Sequence, residues 1–156
     1  MTEEPYQPYN LPPWRRSYEA TSPDGRWHAR VEDAWEIYMA GPTKGNLIIK
    51  NVFQIPDCSP TFVWSNDSQY LAVPQWKYWF RRRERLLILD ANKKTIHASR
   101  SIYQLLILND FVDGILTGID SPVWKPKEIK VSVREALAKY KRIEQYSAAD
   151  EHNSRR

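Results

Sequence analysis

The chain has 156 residues, a formal net charge of +4 and one cysteine. Its 42% hydrophobic and 13% aromatic content is too high for a disordered chain and predicts one packed domain. No apolar run approaches the roughly 20 residues of a membrane span, and the start lacks the pattern of a signal peptide. A lone cysteine excludes an intrachain disulfide and is typical of a reducing compartment, so we expect a cytoplasmic protein that is not in a membrane.

Residues 1–17 carry four prolines among tyrosine and tryptophan residues. Proline fixes φ and removes a backbone donor, so this composition favours an extended, polyproline-like arm. We predict that the arm packs across the surface of a single β-rich domain over residues 18–147. A partner-binding peptide is the alternative interpretation of the arm.

Two turn-and-strand stretches, 22–29 and 65–72, have similar sequences: SPDGRWHA and SNDSQYLA. Proline, aspartate, asparagine and glycine are residues that tight turns select. Asp24 and Asp67 are 43 residues apart, within the roughly 40–45 residues over which a four-stranded propeller blade repeats.

Each turn precedes β-branched and aromatic runs that flank tight reversals, the pattern of a hairpin. The predicted strands are 35–40 and 46–50 in the first copy, 86–90 and 95–99 in the second, and 103–108, 115–119 and 129–131 in a third, weaker copy. The third copy turns near Asp113-Gly114.

The segment 62–73, followed by 86–94, resembles the blade motif of TolB-type and WD-repeat β-propellers. Asn66 and Ser68 stand where that family has proline and glycine. The resemblance implies a mostly β fold of two to three antiparallel, propeller-like sheets, too few to close a ring. We expect them to pack as a compact or sandwich-like domain whose open edges are covered. The sequence is compatible with either a monomer or a homodimer.

A C-terminal amphipathic helix is predicted over residues 132–146. Ser132 and Glu135 form a capping box, and apolar residues recur at helical spacing from Val133 to Ile143. We expect this helix to cover a sheet edge. The polar tail 148–156 is predicted to be disordered.

The second copy holds eight more residues than the first, and this insertion, within 76–85, is strongly basic. Alternation predicts Trp76, Tyr78 and Phe80 on one face and Lys77, Trp79 and Arg81 on the other. Aromatic and arginine side chains are typical of interface centres. The predicted partner-binding residues are Trp76, Lys77, Tyr78, Trp79, Arg81, Arg82, Arg83 and Arg85, with Trp35 and Tyr38.

We therefore predict a non-catalytic binding protein with an acidic protein partner, such as a small intracellular inhibitor or immunity-type protein. RNA or single-stranded DNA binding through segment 76–85 is the first alternative. The second alternative is that the aromatic side chains of this segment pack internally, while its arginines prevent a sheet edge from pairing with another strand. A third is an enzyme with a dispersed site. The three histidines lie far apart and Cys58 has no basic neighbour, so we predict no catalytic residue, metal ligand or cofactor.

Overall fold

The computed structural model describes residues 17–37, 41–78, 82–121 and 125–147. The protein is mostly β, with 60% strand and 6% helix. This confirms the predicted fold class, mostly β with antiparallel sheets and one C-terminal helix. The predicted arm, apart from Ser17, and the predicted tail lie outside the described residues.

The strands group into three consecutive antiparallel units. The first unit contains β1 (Tyr18–Thr21), β2 (His28–Glu36), β3 (Thr43–Ile49) and β4 (Phe53–Cys58). The second contains β5 (Val63–Trp64), β6 (Leu71–Tyr78), β7 (Arg82–Asp90) and β8 (Thr95–Ala98). The third contains β9 (Leu106–Val112), β10 (Ile115–Asp120) and β11 (Lys127–Ser132). The first two units are joined by pairing of β4 with β6 at Cys58 and Gln75.

The second unit is buried on both faces, because alternate residues of its strands belong to two different cores. Leu87 and Leu89 pack into one core with Leu47 of the first unit. Leu86 and Ile88 pack into the other core with residues of the third unit. A strand covered on both sides has no polar face, which explains the continuous apolar run at 86–89.

The first predicted turn is closed by a compact set of hydrogen bonds. The Ser22 hydroxyl donates to Asp24 Oδ1 over 2.7 Å and accepts from the Trp27 amide over 3.1 Å. The same Asp24 oxygen accepts from the Arg26 amide over 3.0 Å. Gly25 adopts φ +77°, a conformation that glycine reaches without a steric penalty.

The second turn repeats these bonds at equivalent residues. The Ser65 hydroxyl donates to Asp67 Oδ1 over 2.5 Å and accepts from the Tyr70 amide over 2.9 Å. Ser68 takes the place of Gly25, with φ +64°, and its hydroxyl accepts from the Asp24 amide over 2.9 Å. The two turns therefore match bond for bond and lie against each other. The resemblance to propeller blades itself stays a prediction.

The C-terminal helix is shorter than the sequence predicts. α1 spans Val133–Lys139, with Ser132 accepting from the Glu135 amide at its N-cap. The predicted continuation to residue 146 is wrong, because Tyr140 is extended and the next residues form β12 (Lys141–Ile143) on β8. Pairing satisfies the backbone groups that the edge of β8 would otherwise leave open. A strand, rather than the helix, therefore covers this edge.

No helix among residues 17–37, 41–78, 82–121 and 125–147 combines the length and apolar character that crossing a membrane requires.

Candidate partner-binding surface

The predicted binding segment forms the distal part of the β6–β7 hairpin. Trp76 pairs with Glu84, Lys77 with Arg83, and the backbone of Tyr78 with Arg82. Side chains directly opposite each other in an antiparallel pair lie on the same face of the sheet. Each cross-strand pair is therefore assigned to one face or the other.

One face carries four cations, Lys77, Arg83, Arg85 and Lys141, which we call the cationic cluster. The first three continue the alternation of Val73 and Leu87, which pack in the core shared with the first unit. Lys141 joins them because β12 places it in register with Ala98 of that core. Lys141 is exposed and the other three are half-buried.

The hydrogen-bond partners of the cluster are neutral. Lys77 Nζ donates to the Tyr146 hydroxyl over 3.4 Å, and Arg85 Nε donates to Gln75 Oε1 over 2.9 Å. Arg83 donates to the carbonyl oxygen of Arg82 over 2.8 Å. Within the part of the chain that the structure describes, no carboxylate forms a salt bridge with any of the four. Their charge is therefore available to an external anion.

An open groove of about 350 Å³ lies beside the cluster. Its lining includes Arg142 in addition to three cations of the cluster. The lining also includes one carboxylate, Glu144, which pairs with Arg142 over 3.2 Å. The lining residues are Lys77, Arg85, Lys141, Arg142, Ile143, Glu144 and Gln145.

Gln75 and Tyr146 position the cationic groups. Gln75 is fully buried and donates through Nε2 to the Pro56 carbonyl oxygen over 2.9 Å, so Arg85 is tied through Gln75 to the first unit. The Tyr146 carbonyl oxygen accepts from the Gln54 amide over 3.0 Å. Burial lowers the pKa of Arg85 below its usual range, and the neighbouring Tyr146 offsets part of this shift. The side chain keeps its charge, as arginine does in proteins.

The opposite face of the same hairpin is buried. Trp76 is 3% exposed and Glu84 is 0% exposed. Glu84 Oε1 accepts from the Leu106 amide of the third unit over 2.6 Å, whereas among the described residues Glu84 Oε2 and Trp76 Nε1 have no hydrogen-bond partner. Burial raises the pKa of Glu84 well above its usual range, against the Leu106 hydrogen bond, and the Asp120 carboxylate adds to the rise.

The assignment of Trp76 to the partner-binding surface is therefore wrong for the folded chain. Alternation predicts two faces, but it does not tell which of the two is buried. Tyr38, Trp79 and Arg81 lie outside the described residues, and so does the side chain of Tyr78.

Trp35 is the most exposed large hydrophobic residue of the described chain, at 63%. The Lys44 ammonium lies 5.2 Å from the centre of its ring and also pairs with Asp57 over 2.8 Å. Arg82 donates to the carbonyl oxygen of Ile37 over 3.2 Å. The end of the Trp35 strand and the start of β7 therefore meet.

Sequence reasoning missed Gln75, Lys141, Arg142 and Tyr146. Lys141 and Arg142 fall within the helix predicted over residues 132–146, but α1 ends before them. Tyr146 lies 69 residues from Lys77 along the chain, and no local pattern connects the two.

The candidate catalytic and metal-binding groups are dispersed. Among the described residues, no group of three or more His, Cys, Asp or Glu is arranged to hold a metal ion. Cys58 is buried, and desolvation raises the pKa of its thiol above its usual range, so the nucleophilic thiolate is disfavoured.

No protein-family model matches the chain, and no curated protein matches it significantly.

Proposed function

We propose that this protein is a non-catalytic binding protein that recognises an acidic protein partner through the cationic cluster. The observation that carries the proposal is a set of four cations on one face, none of which forms a salt bridge within the described residues. Three of them, Lys77, Arg83 and Arg85, donate to neutral oxygens. Charges left without a counter-charge favour association with a surface of opposite sign.

A protein partner is favoured over nucleic acid by the burial of Trp76. Single-strand binding uses exposed rings on which bases stack, whereas Trp76, the one aromatic side chain of segment 76–85 that the structure describes, is 3% exposed. Arginine side chains bind carboxylates through paired N–H groups without any stacking partner. A binding role, rather than catalysis, is supported by the burial of Cys58.

The test compares two double variants with the same loss of charge. Lys77→Gln/Arg83→Gln removes two cations of the cluster, and Lys125→Gln/Arg134→Gln removes two exposed cations elsewhere. The probes are a fluorescently labelled peptide of Glu, Thr and Tyr, about 20 residues long, and a labelled oligothymidine of about 20 nucleotides, both followed by anisotropy.

We expect the cluster variant to bind the peptide about tenfold more weakly, since two partly exposed charge pairs of about 0.7 kcal/mol each are lost. The control variant should bind like the wild type. Equal losses in both variants, or no peptide binding at all, would contradict the proposal. Tighter binding of the oligothymidine than of the peptide, with a steep salt dependence, would indicate that the partner is a nucleic acid and not an acidic protein.

A further inference from the structure

The contact between Lys77, Arg85 and Tyr146 has the chemistry of a specific anion site within the cationic cluster. The Tyr146 hydroxyl accepts from Lys77 over 3.4 Å and also lies against the Arg85 guanidinium. A phenol can accept hydrogen bonds and also donate one. No residue in the described part of the chain accepts the hydrogen of this phenol, so all three groups have donors to offer.

The free donors can be counted from the contacts. Arg85 uses Nε on Gln75 and also contacts Tyr146, which leaves its other terminal N–H groups available for a forked interaction. Lys77 has three N–H groups and uses one on Tyr146. A set of donors that lacks an acceptor is completed by an oxyanion.

The groups are also held in place before any ligand arrives. Arg85 is fixed by fully buried Gln75, which is itself fixed by the Pro56 carbonyl oxygen. Tyr146 is fixed by its backbone contact to Gln54. Ordering side chains in advance lowers the entropic cost of binding, so this trio should contribute more than the freely exposed Lys141.

The carboxylate that lines the groove, Glu144, does not fill the site. Glu144 lines the same groove, but its side chain is 80% exposed and it pairs with Arg142. The groove of about 350 Å³ leaves room for an acidic side chain from outside.

We propose that Lys77, Arg85 and Tyr146 form an anchor for a single oxyanion, which on an acidic protein partner is one Glu or Asp carboxylate. This inference rests on the proposed function and deepens it, because it separates one directional contact from general charge attraction. The anchor should depend on the Tyr146 hydroxyl and on the fork of Arg85 even when the net charge is unchanged.

The experiment therefore uses variants that keep the charge. Tyr146→Phe removes only the hydroxyl, and Arg85→Lys removes the fork while keeping the cation. The matched controls are Tyr70→Phe, which lies in the other core, and Arg134→Lys, which is exposed on α1. Each is titrated against the labelled acidic peptide at about 50 and 200 mM salt, and its fold is checked by circular dichroism.

We expect Tyr146→Phe and Arg85→Lys each to weaken peptide binding about five- to tenfold at both salt concentrations, as loss of a charge-assisted hydrogen bond predicts. The controls should bind like the wild type. If both variants bind normally while Lys77→Gln/Arg83→Gln binds weakly, the anchor is wrong and the proposed function stands. If Lys77→Gln/Arg83→Gln also binds normally, the proposed function itself fails.

Discussion

The two faces of the distal β6–β7 hairpin are built from alternate residues of one segment, yet their environments are opposite. Trp76 and Glu84 are buried, and among the described residues each has a polar side-chain atom without a hydrogen-bond partner. Lys77 and Arg83, each one residue closer to the end of the hairpin, are half-buried, and Lys77 lines an open groove. One set of side chains of this segment is therefore buried, and the other set lies at the surface.

This comparison shows that a basic, aromatic segment need not act as one binding epitope. In a strand, neighbouring residues point to opposite faces, so the aromatic and cationic properties of the segment are physically separated. The buried face should control the free energy of unfolding, and the cationic face should control binding.

The largest expected effect is on the buried face. Trp76→Ala should lower the free energy of unfolding by about 3–5 kcal/mol, because it leaves a cavity where a buried side chain was. The matched control is Trp35→Ala, whose side chain is 63% exposed and whose loss should cost about 0.5 kcal/mol or less. Urea titrations of both variants measure the difference, and similar losses would show that Trp76 is not a core residue.

The second prediction concerns the pH dependence of stability. The pKa of Glu84 is raised in the folded protein, so the unfolded chain releases this proton first as the pH rises. The contribution of Glu84 to stability is therefore complete below the unfolded pKa of about 4.3 and declines above it, by about 1.4 kcal/mol per pH unit, until the folded pKa is reached.

Glu84→Gln removes this decline and keeps an acceptor for the Leu106 amide. The variant should match the wild type near pH 4 and be more stable near pH 7, by denaturant titration at several pH values. Glu128→Gln, at an exposed position on β11, serves as the control and should follow the wild type throughout. Parallel curves for Glu84→Gln and the wild type would mean that Glu84 is already ionised in the folded state.

Much of the fold is predictable from the sequence because its signals are local. The Ser-x-Asp turns at 22 and 65 depend on bonds between residues at most five positions apart, and the strands between them follow from composition. The helix end is not predictable in this way, since residues 141–143 keep a helical pattern but pair with β8. A distant edge decides their conformation.

The candidate site divides along the same line. Lys77, Arg83 and Arg85 are found from local charge, whereas no local pattern indicates that Trp76 is buried. Tyr146 and Gln75 have their roles only through contacts with distant residues, Lys77 and Pro56. Tertiary packing, and not the segment itself, determines which of its side chains can meet a partner.

The smallest expected effect is on the cationic face, where function and stability should oppose each other. Lys77 and Arg83 lie directly opposite across β6 and β7, and like charges in that position are destabilising. Arg83→Gln should therefore raise the free energy of unfolding by about 0.2–1 kcal/mol at low salt while it weakens binding of the acidic peptide. Thermal denaturation and anisotropy measure the two effects.

Lys127→Gln supplies the opposite case, because Lys127 lies directly across from Asp120 in β10 and β11. Removing a charge from an attractive pair should lower stability by a similar amount and leave peptide binding unchanged. Both shifts should shrink at about 0.5 M salt, where exposed charges are screened. A loss of stability in Arg83→Gln would mean that Arg83 stabilises the folded protein, which contradicts a role of its charge in partner binding alone.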